Sequence, residues 1–135
     1  MILAAGLGTR LGALTQATPK ALIDINGRPI IEHVARRLIA AGATHLVINV
    51  HHHADAIIEF VQSRSGFGVD VSFSREAEAP LETGGGLLHA RPLFRGDGSY
   101  LVTGGAGGLG LFLAAVMASG ATPGSSRAVC ADCYG

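Results

Sequence analysis

The chain has no excess of either charge: ten Lys and Arg stand against ten Asp and Glu in 135 residues. That balance argues against a protein of nucleic acids or membrane surfaces, which carries a basic excess. Neither nucleic acid nor membrane is an expected partner. Cysteine is scarce as well. Cys130 and Cys133 are the only two, too few and too close together for a disulfide framework. Long apolar runs are missing too. The late run Leu109 to Ala118 is far short of a membrane span. The apolar start lacks the basic stretch and small-residue cleavage site of a signal peptide, so a cytoplasmic protein is the expectation.

What is present is apolar: hydrophobic residues make up 48% of the chain and charged ones 15%, enough for one domain with a real core. "MILAA" reads as a buried strand with a sharp glycine stop, and "ALIDI" as a short strand ending in the Asn26-Gly27 turn. Ile30, Ile31, Val34, Leu38 and Ile39 recur at helical spacing from Pro29 to Ala41, and Gly42 stops the helix. "THLVINV" is a strand, "ADAIIEFVQSR" a helix ended near Gly66 and Gly68, and "VDVSFS" a strand. "TGGGLLHARPLF" starts a helix with Thr83 as its N-cap, and "SYLVT" is a further strand. This alternation predicts an α/β fold, a Rossmann-like, mostly parallel sheet with helices on both faces. Ligands of such sheets sit at the carboxyl ends of the strands. The loops at 5–20, 74–86 and 103–108 fall there.

The loop "GLGTRLGALTQATPK" fits neither common phosphate motif. The dinucleotide fingerprint needs a third glycine where Leu11 stands, and the P-loop needs a closing G-K-[ST]. Leu11 therefore argues against a Rossmann-type oxidoreductase. Two readings remain: a structural turn with two solvated cations, or a wide loop whose backbone N–H groups wrap phosphates. In the second, Arg10 offers a bidentate fork and Lys20 a point charge.

The run "ILAAGLGTRLGALTQATPKALIDINGRPIIEHV" closely resembles the opening signature of the sugar-phosphate nucleotidylyltransferases. The match is ungapped from Ile2 to Lys20 and continues loosely to about Val102; Ala13 departs from it, where proline is usual. "PLETGGGLLHARPLF" is similar to the base-contacting segment of the branch with N-acetylmuramate-1-phosphate uridylyltransferases and mannose-1-phosphate guanylyltransferase-like proteins. The resemblance implies transfer of a nucleoside monophosphate from a nucleoside triphosphate, UTP or GTP, to a sugar 1-phosphate, with release of pyrophosphate. It implies that Ala5, Gly6, Gly8 and Thr9 lie along the nucleotide and that Glu82, Thr83 and Gly84 meet the base. Arg10 and Lys20 are the implied catalytic pair, Arg10 on the leaving pyrophosphate and Lys20 between the α-phosphate and the sugar phosphate.

The resemblance also implies Mg²⁺, held by an aspartate in an Asn-x-Asp-like turn after the next strand. Here Thr103, Gly104 and Gly105 follow instead, so no metal ligand is assigned. The composition shifts at the same place: after Asp97 no acidic residue occurs until Asp132. The expected division is a nucleotide-binding half over 1–103 and an atypical Gly/Ala-rich tail over 104–135, the second half being truncated, degenerate or in a shifted reading frame. An uncovered sheet edge would favour association of copies, so a homo-oligomer is an expectation. The alternative reading is a non-catalytic nucleotide-binding module of the same fold.

Four further signals are not promoted to sites. The histidines 51–53 are a polar strand-to-helix junction, because neighbours on a strand point in opposite directions. Cys130 and Cys133 lack the second pair that zinc requires. Glu76 and Glu78 read as a solvated loop, Asp24 and Asp55 as turn or cap residues.

Overall fold

The first sheet is built on the segment "HLVINV", which forms strand β4 (His45–Val50). It is flanked by β1 (Ile2–Leu3) and β5 (Asp70–Arg75), in the order β1-β4-β5 and parallel throughout. The computed structural model describes residues 1–6, 18–77, 81–94, 99–102 and 127–130. They fall into two units, Met1–Glu82 and Thr83–Gly135.

In the first unit, helices α1 (Ile30–Ala40) and α2 (Ala54–Ser63) carry the crossovers between the parallel strands. Ile31 and Ala35 of α1, one turn apart, and Ile57 and Val61 of α2, also one turn apart, share one cluster with Leu46, Ile48 and Val50. The alternate residues of a strand face one side, so both helices cover the even-numbered face of β4. Val47 and Asn49 point to the opposite face and are buried as well, as expected for a central strand of a parallel sheet.

Turn chemistry closes the elements. Helix α1 ends in a Schellman motif: the Gly42 N–H donates to the Ile39 carbonyl and the Ala43 N–H to that of Leu38, with Gly42 at φ 96°. Asn26 (φ 56°) and Gly27 (φ 82°) form a primed turn between β2 (Asp24–Ile25) and β3 (Arg28–Pro29). The Asp24 carboxylate accepts from the Gly27 N–H, its expected turn role. Between α2 and β5 the chain makes a left-handed turn over Ser65, Gly66, Phe67 and Gly68, all at positive φ. Phe67 accepts that conformation while packing against the core and the Phe60 ring.

In the second unit, the remainder of α3 (Glu82–Ala90) leads into a short turn at Arg91–Leu93. Strands β6 (Ser99–Val102) and β7 (Arg127–Cys130) pair in parallel. The tail thus contributes a strand, and Cys130 lies on it.

Three expected elements differ. The strand read over "ALIDI" is a 3-10 turn at Lys20–Leu22 followed by the two residues of β2. Pro19, at φ −59°, starts the turn, and its carbonyl accepts from the Leu22 N–H at 2.8 Å. The first strand is two residues long, although Ala4 N–H still reaches the Asn49 carbonyl. Helix α3 starts at Glu82, so Thr83 lies inside its first turn and is not the cap.

Candidate nucleotide site

Parallel pairing brings three chain ends to one rim. Leu3 is in register with Asn49, and Val50 with Arg75. The chain leaves the sheet just beyond these pairs, at Ala4 after β1, His51 after β4 and Glu76 after β5.

A polar chain links the three exits. The Ala4 N–H donates to Asn49 Oδ1 at 2.7 Å. The same amide donates from Nδ2 to Glu76 Oε1 at 2.8 Å. Glu76 Oε2 accepts the N–H of Leu81 at 2.8 Å. The backbone of Glu76 is also held: its N–H meets the Val50 carbonyl, and its carbonyl accepts from His51 Nδ1 at 2.7 Å. A carbonyl can only accept, so His51 carries a proton on Nδ1. Glu76 is only 3% exposed, as is Asn49. The expectation of a solvated loop at Glu76 is therefore corrected: its position beside Asn49 of the central strand buries it. Glu78 lies outside the described residues.

Of the residues singled out in the sequence, Ala5 is buried and Gly6 exposed directly after Ala4, at this rim. A Cβ placed on Gly6 would meet no heavy atom within 4 Å among the described residues. Gly8, Thr9 and Arg10 lie outside the described residues. Lys20 is exposed at the start of the 3-10 turn, while Ala21 and Leu22 pack against the core cluster. The glycine loop is thus anchored at both ends, by Ala4 on the sheet and by Ala21 and Leu22 on the core. Glu82, Thr83 and Gly84 open α3, with Thr83 and Gly84 half-buried.

The histidines 51–53 form the strand-to-helix junction, with His52 exposed and His53 at φ 53° before α2. Their rings stand 4.0 Å apart for His52 and His53. Among the described residues, no three His, Cys, Asp or Glu side chains gather as a metal-ligand set. No helix among them is long and apolar enough to cross a membrane.

Asn49, Glu76 and His51 were not singled out as site residues. Asn49 left a signal, a lone amide within the otherwise apolar run from Leu46 to Val50, because a buried polar side chain needs partners. Glu76 was read as solvated, because its partner stands 27 residues earlier in the chain.

A parallel α/β sheet with a glycine-rich loop at the end of its first strand defines a nucleotide-binding class of fold. The pattern of the Nucleotidyl transferase family matches residues 1–108, and the chain belongs to that family. It is 42% identical over 104 residues to an N-acetylmuramate alpha-1-phosphate uridylyltransferase of Caulobacter vibrioides, covering 76% of this chain and 43% of that protein. It is 39% identical over 100 residues to a mannose-1-phosphate guanyltransferase of Kluyveromyces lactis, covering 73% and 27%. Among solved structures, HddC from Yersinia pseudotuberculosis complexed with GMP-PN superposes with a TM-score of 0.62 at 33% identity, covering 70% of this chain and 41% of that one. The chain therefore spans less than half the length of these relatives.

Proposed function

We propose that this chain binds a nucleoside triphosphate through the loop from Gly6 to Lys20, as the nucleotide half of a sugar-1-phosphate nucleotidylyltransferase. The observation that carries the reading is the glycine loop itself. It bears the family signature, leaves the sheet at the carboxyl end of β1 and returns to the core at Ala21 and Leu22. The uridylyltransferase relatives favour UTP, with GTP next.

In the reaction, an oxygen of the sugar 1-phosphate attacks the α-phosphorus and pyrophosphate leaves. The nucleophile is already an anion, so positioning and charge neutralisation carry the catalysis. Arg10 neutralises the leaving pyrophosphate, and Lys20 draws the two reacting phosphates together. Ala5, Gly6, Gly8 and Thr9 line the nucleotide, and Glu82, Thr83 and Gly84 meet its base. Mg²⁺, when bound, would neutralise phosphate charge. The described residues offer it no ligand set, so no step is routed through it. The family-like part runs over 1–103, with 104–135 a divergent tail. The setting is cytoplasmic supply of sugar nucleotides.

A second reading, a nucleotide-binding module without turnover, is favoured by one observation: Thr103, Gly104 and Gly105 stand where the metal aspartate is expected. Calorimetric titration with UTP, GTP, CTP and dTTP tests the binding shared by both readings. Saturation by UTP or GTP, weakened at least about tenfold by Lys20→Ala, is the expected result. No binding of any of the four at millimolar concentration overturns both readings.

A further inference from the structure

Glu76 spends its carboxylate in an unusual way. It is 3% exposed, yet its two oxygens meet neutral donors, the Asn49 amide and the Leu81 N–H, each at 2.8 Å. Burying a carboxylate costs far more than burying a neutral amide of the same shape. If filling space were the only requirement, glutamine would serve at lower cost.

What glutamine cannot do is accept at both ends. The donors run in one direction: Ala4 N–H to Asn49 Oδ1, Asn49 Nδ2 to Glu76 Oε1, and Leu81 N–H to Glu76 Oε2. Reversing the Asn49 amide would set its NH₂ against the Ala4 N–H. A glutamine at 76 that still accepts from Asn49 would set its own NH₂ against the Leu81 N–H. Only a carboxylate closes the chain.

The two ends of this chain are not arbitrary. Ala4 precedes Ala5 and Gly6, where the glycine loop begins. Leu81 precedes Glu82, where α3 begins. We propose that Asn49 and Glu76 are positioning residues that tie the start of the glycine loop to the chain just before Glu82, so that nucleotide affinity depends on Glu76 without contact between them. The proposal rests on the nucleotide-binding reading above. A ligand engaging the loop with its phosphates and Glu82 with its base gains from the correct separation of the two. Inorganic triphosphate engages the loop alone and gains nothing from it.

The test compares two ligands on the full chain: inorganic triphosphate, and UTP or GTP, whichever binds the parent more tightly. Ligand-observed NMR gives Kd for the parent, for Glu76→Gln, and for Ile57→Val as a variant destabilised in the core on the face of β4 opposite Asn49. The expected result is a nucleotide Kd raised about tenfold or more in Glu76→Gln. Its triphosphate Kd stays within twofold, and Ile57→Val changes neither. A nucleotide Kd within twofold of the parent overturns the proposal, as does an equal weakening of both ligands. If Glu76→Gln does not fold, Asn49→Ser is measured in the same way. If neither folds, the pair is structural and the proposal falls. A parent that binds no nucleotide overturns the nucleotide-binding reading itself. A parent that binds while Glu76→Gln is unaffected overturns only the positioning role.

Discussion

Arg36 donates from Nε to the Glu32 carboxylate at 2.8 Å, one turn back along α1. Glu32 is buried, 3% exposed, with Arg64 Nε 3.8 Å from its second oxygen. The Arg36 hydrogen bond holds its carboxyl below the ordinary 4.5. Burial pushes the other way, and the charges of Arg36, Arg64 and Arg28 add to the lowering. A carboxylate with a depressed folded-state value stabilises the fold above its unfolded value and loses that contribution as pH falls through the folded one. The parent should therefore exceed Glu32→Gln in stability by a constant margin at neutral pH. The margin should shrink below pH 4.5 and then close. Urea unfolding of both proteins across that range measures it. A margin independent of pH would show that the ion pair does not set it.

Two glycine substitutions should part company. Gly66 sits at φ 61°, and an added Cβ would lie 3.1 Å from Val71 Cγ2. Gly66→Ala should cost about 1–2 kcal/mol, read as a lower thermal midpoint. Gly6 has open space among the described residues and no positive φ, so Gly6→Ala should leave stability within ~1 kcal/mol. It should nevertheless weaken nucleotide binding, because the added methyl stands where the backbone would approach phosphate. Loss of stability in Gly6→Ala would move its role from ligand to fold.

The core should respond to single truncations. Ile57 is fully buried between α2 and β4's even-numbered face. Ile57→Ala should cost ~2–5 kcal/mol in denaturant unfolding. A cost below ~1 kcal/mol would mean that the site collapses around the gap.

The chain as it stands should turn over poorly. Thr103, Gly104 and Gly105 supply no carboxylate where one is expected, and Mg²⁺ at phosphates is commonly held by one or two carboxylates. Pyrophosphate release from the four nucleoside triphosphates with a panel of sugar 1-phosphates and Mg²⁺ should stay far below ~1 s⁻¹. Turnover at that level would direct attention to Asp97 and Asp132 as the missing ligands.

The elements with strong local signals were legible in the sequence. The helical spacing of α1, the Asn26-Gly27 turn, the Gly42 stop and the strand at β5 were each readable within a short window. The departures arise where distant groups decide. "ALIDI" has the apolar content of a strand, but Pro19 bends it and the core captures Ala21 and Leu22. Thr83 has the chemistry of a cap, yet α3 starts one residue earlier, just after Leu81 is held by Glu76. Of the candidate site, the glycine loop was legible because its residues are consecutive. The Asn49–Glu76 pair was not, because parallel strands bring together residues that no local pattern connects.

The unequal ladders of the sheet set an order of assembly. β4 and β5 pair at six positions across a short helical crossover, whereas β1 meets β4 at only two, Ile2 with Ile48 and Leu3 with Asn49. Closing the longer loop for the smaller reward comes late in folding and reverses early in unfolding. Of these three strands, the one from which the glycine loop hangs is therefore the last to dock and the first to leave. In pulse-labelled hydrogen exchange, the amide of Ala4 should gain protection after those of β4, and nucleotide should slow its release. The ligand would then act as the final piece of the sheet, holding shut an edge that backbone pairing alone closes only lightly.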